Sequence, residues 1–150
     1  MKKTIIKEIL YIVYLILLIA FIFGNSFASI EESAEDSGRI LAFINNILNS
    51  LRIPIEFSEF FIRKTAHFIE FFTLGASVFG YVVLFKKVTI PNVIYSIFTS
   101  CLIAMLDETI QYFTNRGSML LDVWLDFFAA LISIVLLYVL YRIKSTLKKT

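Results

Sequence analysis

The sequence predicts an all-α integral membrane protein, a four-helix bundle with a short amphipathic interfacial helix between spans 1 and 2, forming a single domain over residues 1–150. Three observations carry this reading. The chain is 59% hydrophobic and 17% charged, where soluble domains run nearer about 45 to 50% apolar. Windows near 9–24, 66–86, 93–113 and 122–142 meet or approach the run of about 20 mostly apolar residues that a helix needs to cross a bilayer. No strand signal survives the hydropathy, and four spans use most of the length, which leaves no room for a second globular domain.

The first span begins after Lys7, carries no charged residue from Ile9 to Phe23, and closes at Gly24-Asn25-Ser26. It reads as an anchor. A cleaved signal peptide is the competing reading, because basic residues precede an apolar stretch at the upper length limit for such a region and Ser26-Phe27-Ala28 has the small-x-small form of a cleavage site. Residues 25–37 hold Glu31, Glu32, Glu35 and Asp36 and are expected to form a solvated turn. Ile40, Leu41, Ile44, Ile47, Leu48 and Leu51 then recur at helical spacing between polar residues, over a length too short to cross and amphipathic enough to lie on the outer surface or cap the bundle. Pro54 is expected to end that segment.

The second span is expected to start near 56–58 and to run to Phe85, before the Lys86-Lys87 boundary. Arg63, His67 and Glu70 fall along one side of it, followed by Thr73, Ser77 and Gly80, while Phe68, Phe72, Phe79 and Val83 are expected to face lipid. Ala76 and Gly80 make a small-xxx-small face that invites a close neighbour. The short connection through Pro91 returns the third span as an antiparallel partner, with Ser96, Ser100, Ala104, Asp107 and Gln111 on one stripe. Asp107 sits about six residues, or about 9 Å, short of its end, with Glu108 about a quarter turn away. Arg116-Gly117-Ser118 lies in the following turn. The fourth span opens with Asp122 and Asp126, and Ala129, Ala130 and Ser133 continue below them.

Charge sets the expected topology. Lys2, Lys3, Lys7, Lys86, Lys87, Arg142, Lys144, Lys148 and Lys149 cluster at the termini and the second connection, which puts both termini in the cytoplasm under the positive-inside rule. The inner side then holds nine basic residues and one acid, Glu8, and the outer side five basic and eleven acidic. A basic inner rim is ordinary anchoring to anionic lipid, so no nucleic-acid partner is expected. The single cysteine, Cys101, cannot form an internal disulfide. Glycine-rich phosphate loops, paired-cysteine zinc motifs and Gly-x-Ser-x-Gly elbows are absent from the sequence.

Alternation of the spans brings His67 and Glu70, Asp107, Glu108 and Gln111, and Asp122 and Asp126 to the same outer half. A central Asp or Arg costs about 2.5 to 3.5 kcal/mol on insertion scales, so three helices bearing carboxylates are expected to turn them toward one another. Arg63, Lys64, Arg116 and His67 are the candidate counter-charges. Buried ion pairing alone is a weak reason to hold such groups, since apolar replacements are often neutral or stabilising. His67, Glu70, Asp107 and Asp126 offer nitrogen and oxygen ligands suited to zinc or manganese, but a His-x-x-Glu pair is weak evidence and neither metal nor cofactor is expected.

Three linked motifs, Arg63-Lys64-x-Ala66-His67-Phe68-x-Glu70-Phe71-x-x-Leu74-Gly75, Asp107-Glu108-x-x-Gln111-x-Phe113-x-x-Arg116 and Asp122-x-x-x-Asp126, resemble the VanZ-like family of bacterial integral membrane proteins. The likeness covers the order of all four spans and is detailed over about residues 60–130; the Ser26 region is similar too. The chain departs from the pattern at Ala129 or Ala130, where a glycine is expected, which bears on packing more than chemistry. The family's namesake is associated with low-level resistance to teicoplanin, a lipid-tailed glycopeptide acting at the outer membrane face. That fits an outward site within the membrane, and the converging residues are expected to form an outward-facing polar cleft for an envelope lipid head group or an amphiphilic antibiotic in the bacterial cytoplasmic membrane, with the bilayer itself as the other partner. Arg63 and Arg116 would engage phosphate or carboxylate, and Glu70, Asp107, Asp122 and Asp126 an amine or cation. The alternatives are a membrane-embedded enzyme modifying an envelope lipid, with His67 or a carboxylate as general base, and a proton-coupled transporter.

Overall fold

The computed structural model describes residues 2–114 and 120–148, and among the described residues there are five helices: α1 (Lys2–Phe27), α2 (Ile30–Ser50), α3 (Glu59–Phe85), α4 (Ile90–Phe113) and α5 (Leu120–Leu147). Four of them, α1, α3, α4 and α5, are long and apolar enough to cross a membrane, and the chain is a multi-pass membrane protein. Polar caps set the starts of α3 and α4. Ser58 caps α3 by accepting from the Phe61 amide, and Thr89 caps α4 by accepting from Asn92, with Pro91 in the first turn where its missing N–H costs nothing.

The segment expected as a solvated turn is instead the start of α2. Ser29 Oγ accepts from the Glu32 amide at 3.1 Å and Glu32 Oε2 accepts from the Ser29 amide at 2.9 Å, a reciprocal capping box that starts the helix at Ile30. The acids at 31 and 32 therefore complement the helix dipole rather than solvate a loop. The amphipathic helix reaches 21 residues, not the shorter segment expected. It ends ahead of Pro54, where Arg52 adopts φ 56° and the amides of Arg52 and Ile53 reach back to the carbonyls of Asn49 and Leu48. That is a Schellman closure with arginine in the place glycine usually takes.

α3 is the hub, packing on α1, α2, α4 and α5. It crosses α5 most closely at Gly75, where an added Cβ would lie 2.5 Å from Ser133 Oγ and 2.7 Å from Ala130 Cα. Small residues at such a crossing let two backbones approach, which is how helices associate where lipid supplies no hydrophobic drive. Because α3 packs against four helices, its expected lipid face is covered in part. Phe79 is fully buried against Val82 and Ile134, edge-on to Tyr138, and Phe72 packs on the core formed by Ile22, Phe71, Leu74, Ile103, Ala104 and Ala129. Phe68 and Val83 do remain exposed.

α1 runs antiparallel to α3 and is tied to it by polar contacts. Tyr11 Oη donates to the Ser77 carbonyl at 3.0 Å, and Tyr14 and Ser77 share a hydrogen bond of 2.8 Å. Near the termini, Tyr81 and Lys86 both donate to Glu8 Oε1, at 2.7 and 2.8 Å. The Glu8 hydrogen bond holds the Lys86 ammonium above its ordinary pKa.

Candidate functional site

At the end of the bundle away from the termini, four spans each present polar side chains toward one another. α1 contributes Asn25 and Ser26 from its last turn; α3 contributes Arg63, Lys64, His67 and Glu70 from its first three turns. α4 supplies Asp107, Glu108 and Gln111, and α5 supplies Asp122 and Asp126. The register explains the convergence. Residues 63, 67 and 70, 107 and 111, and 122 and 126 are each separated by three or four positions and so share a helix face, and in each case that face is the one packed against the other helices.

The deepest part is acidic. Asp107 is fully buried and Asp126 is 1% exposed, with Glu108 and Gln111 buried beside them. Ser26 Oγ donates to Asp107 Oδ1 at 2.6 Å, and Gln111 Nε2 donates to Asp107 Oδ2 at 2.8 Å and lies 3.5 Å from Ser26 Oγ. Thr114 Oγ1 donates to the Ser26 carbonyl at 3.2 Å, fixing the end of α1 against the end of α4. Both carboxylate oxygens of Asp126, by contrast, have no hydrogen-bond partner among the described residues. One ligand atom each from His67, Asp107 and Asp126 lies within 4.8 Å of the others.

Around this core one ion pair forms among the described residues. Lys64 forms an ion pair with Asp122, both side chains being mostly buried, and Asn25 Nδ2 donates to Glu70 Oε1 at 2.6 Å. A cavity of about 220 Å³ opens beside them, lined by Asn25 of α1 and Ala28 just after it, by Ser33, Asp36, Ser37 and Ile40 of α2, and by Ile62, Arg63, Ala66, His67 and Glu70 of α3. α2 is therefore one wall of the cavity, and His67 belongs both to the cavity and to the buried acidic cluster. Arg63, half-buried on the wall, makes no ion pair among the described residues.

Comparison with known protein families decides the relationship. The family model described as VanZ/LLP1 matches residues 11–141, nearly the whole chain. The chain belongs to the VanZ/LLP1 family. No curated protein and no solved structure matches it.

In this VanZ/LLP1 member, nine of the ten residues picked out from sequence meet at one end of the bundle. Asp107, Glu108, Gln111 and Asp126 are buried, while Arg63, Lys64, His67, Glu70 and Asp122 are half-buried around them. Glu108, a quarter turn from Asp107, is buried as well. Arg116 lies outside the described residues. Sequence reasoning missed Asn25 and Ser26 as partners of Glu70 and Asp107, and it missed the wall formed by Ser33, Asp36 and Ser37. Two signals were available. Asn25-Ser26 ends an otherwise apolar span with hydrogen-bonding side chains, and the Ser29-x-x-Glu32 box announces a helix on which 33, 36, 37 and 40 share one face.

Proposed function

We propose that this protein binds the polar head group of an envelope lipid, or of a lipid-tailed antibiotic such as a glycopeptide, in a cleft at the outer face of the cytoplasmic membrane. One observation carries the reading: a cavity of about 220 Å³ with Arg63 and His67 on one wall and Asp36 and Glu70 beside them. Its mixed charge suits a zwitterionic or phosphate-bearing head, with the Arg63 fork engaging two oxygens and the carboxylates taking an amine. The exposed apolar surface around the bundle leaves room for acyl chains to remain in the bilayer. The outward orientation rests on the basic residues gathered at the termini and at Lys86-Lys87, with both termini in the cytoplasm and α2 lying along the outer interface as one wall of the cleft.

The test is lipid analysis of protein purified in mild detergent. Wild type is expected to retain a defined lipid, and Glu70→Gln and Arg63→Lys to lose it at equal expression. Equal lipid content in all three would refute the reading. Teicoplanin susceptibility of cells expressing the same variants tests the antibiotic arm.

The convergence of His67 with Asp107 and Asp126 favours a second reading, an enzyme acting on the bound head group with His67 as general base. Chemical turnover of the copurified lipid by wild type, absent in His67→Ala, distinguishes it from simple binding. Proton-coupled transport has less support, because α3 between Glu70 and Lys86, α4 before Asp107 and α5 between Asp126 and Arg142 carry no charged side chain to relay a proton.

A further inference from the structure

We infer that His67, Asp107 and Asp126 form a binding site for a divalent transition metal, zinc or manganese, buried between α3, α4 and α5. The expectation from sequence was that no metal is bound; the arrangement of these three side chains points the other way, and it does so independently of what the neighbouring cavity holds.

Three features converge. The first is geometric: one nitrogen and two carboxylate oxygens from three different helices come within 4.8 Å of one another. Ligands about 2.0 to 2.2 Å from a zinc ion stand about 3 to 3.5 Å apart, a contraction that side-chain rotation supplies without moving a helix. The second is the state of Asp126. It is 1% exposed, and neither of its oxygens has a hydrogen-bond partner among the described residues. Buried polar groups are ordinarily satisfied, and an acceptor-only carboxylate is satisfied by a cation.

The third is the setting of Asp107. Ser26 Oγ donates to one of its oxygens and Gln111 Nε2 to the other, at 2.6 and 2.8 Å. These donors fix the orientation of the carboxylate, as hydrogen-bonding partners do around established metal ligands. Charge agrees with geometry. Lys64 is engaged by Asp122, so a doubly charged cation is the direct way to neutralise the two carboxylates inside an apolar bundle. The donor set of imidazole plus carboxylate suits zinc or manganese rather than a thiolate-seeking ion. Three protein ligands leave a coordination position open, and through His67 that position lies next to the cavity.

The experiment is metal analysis of the full chain, purified in detergent with a histidine-free tag, stripped with chelator, reloaded with zinc or manganese and washed. Wild type is expected to retain about one ion per chain, and Asp107→Asn, Asp126→Asn and His67→Gln each to lose at least about fivefold, while Glu35→Gln on the exposed face of α2 retains it. The thermal midpoint of stripped wild type is expected to rise by about 5 °C or more at saturating metal, a readout that holds even if an aspartate variant fails to fold. Less than about a tenth of an ion per wild-type chain with no thermal shift overturns the inference. So does full retention by a folded Asp126→Asn, which would mean that Asp126 stands as a neutral acid and any ion sits elsewhere.

Discussion

Replacing Gly75 by alanine adds one methyl group at the place where two backbones touch. That Cβ would stand 2.7 Å from Ala130 Cα and 2.5 Å from Ser133 Oγ, where an ordinary carbon contact needs about 3.5 Å or more. The Ala130 contact is backbone and cannot rotate away, so α3 and α5 must separate by close to an ångström along a crossing that Ala129, Ala130 and Ser133 now fill. Overpacking of this kind costs about 1 to 3 kcal/mol, and a backbone neighbour puts Gly75→Ala near the top of that range. For a chain of this size 3 kcal/mol corresponds to a fall of about 6 to 12 °C in thermal midpoint, read by fluorescence-detected unfolding in detergent.

Two other glycines calibrate the result. At Gly80 the added Cβ meets the Tyr11 hydroxyl at 2.6 Å, the far end of a side chain that can swing aside. Gly80→Ala therefore loses only the Tyr11 to Ser77 hydrogen bond, about 1 kcal/mol. Gly24 has nothing within 4 Å, and Gly24→Ala is expected to be neutral or to stabilise by about 0.5 to 1 kcal/mol through helix propensity. The order Gly75, Gly80, Gly24 from most to least damaging follows from packing alone. A Gly75→Ala protein as stable as Gly24→Ala would refute the close crossing, and with it the register of α5 against α3.

Ser29→Ala removes the capping box of α2 and is expected to cost about 1 kcal/mol, with faster hydrogen exchange confined to the first turns of that helix. Arg52→Gly relieves a left-handed residue at φ 56° and is expected to stabilise by about 1 kcal/mol, measured by thermal unfolding. A double-mutant cycle on Lys64→Ala and Asp122→Ala is expected to return a coupling of about 1 to 3 kcal/mol, because the pair is mostly buried. Ser26 is fully buried against Asp107, so intact-mass measurement of membrane-extracted protein is expected to find α1 retained rather than cleaved after Ala28.

The four spans were legible because hydropathy and length decide them, and the polar stripe on α4 was legible because 96, 100, 104, 107 and 111 keep helical spacing. The error on the lipid-facing side of α3 has a plain cause, which is that a single helix read alone does not tell how many neighbours surround it. Phe79 looked lipid-facing because it lies opposite His67, yet α3 packs against four helices and this position is buried, while Phe68 and Val83 on the same side stay exposed. The start of α2 was lost for a different reason. Four acids within six residues outweighed the Ser29-x-x-Glu32 signature, although that signature names the mechanism by which the first turn closes. Pairings between helices, such as Ser26 with Asp107 and Asn25 with Glu70, carry no local sequence signal beyond the presence of the donors.

Access to the cleft from outside the cell is the measurement that bears most directly on the account. In a Cys101→Ala background, a cysteine placed at Ala66, on the cavity wall, is expected to react in intact cells with a membrane-impermeant thiol reagent, and to be protected by saturating lipid-tailed ligand. Reaction only after the membrane is permeabilised would put the cleft on the cytoplasmic side and contradict the account.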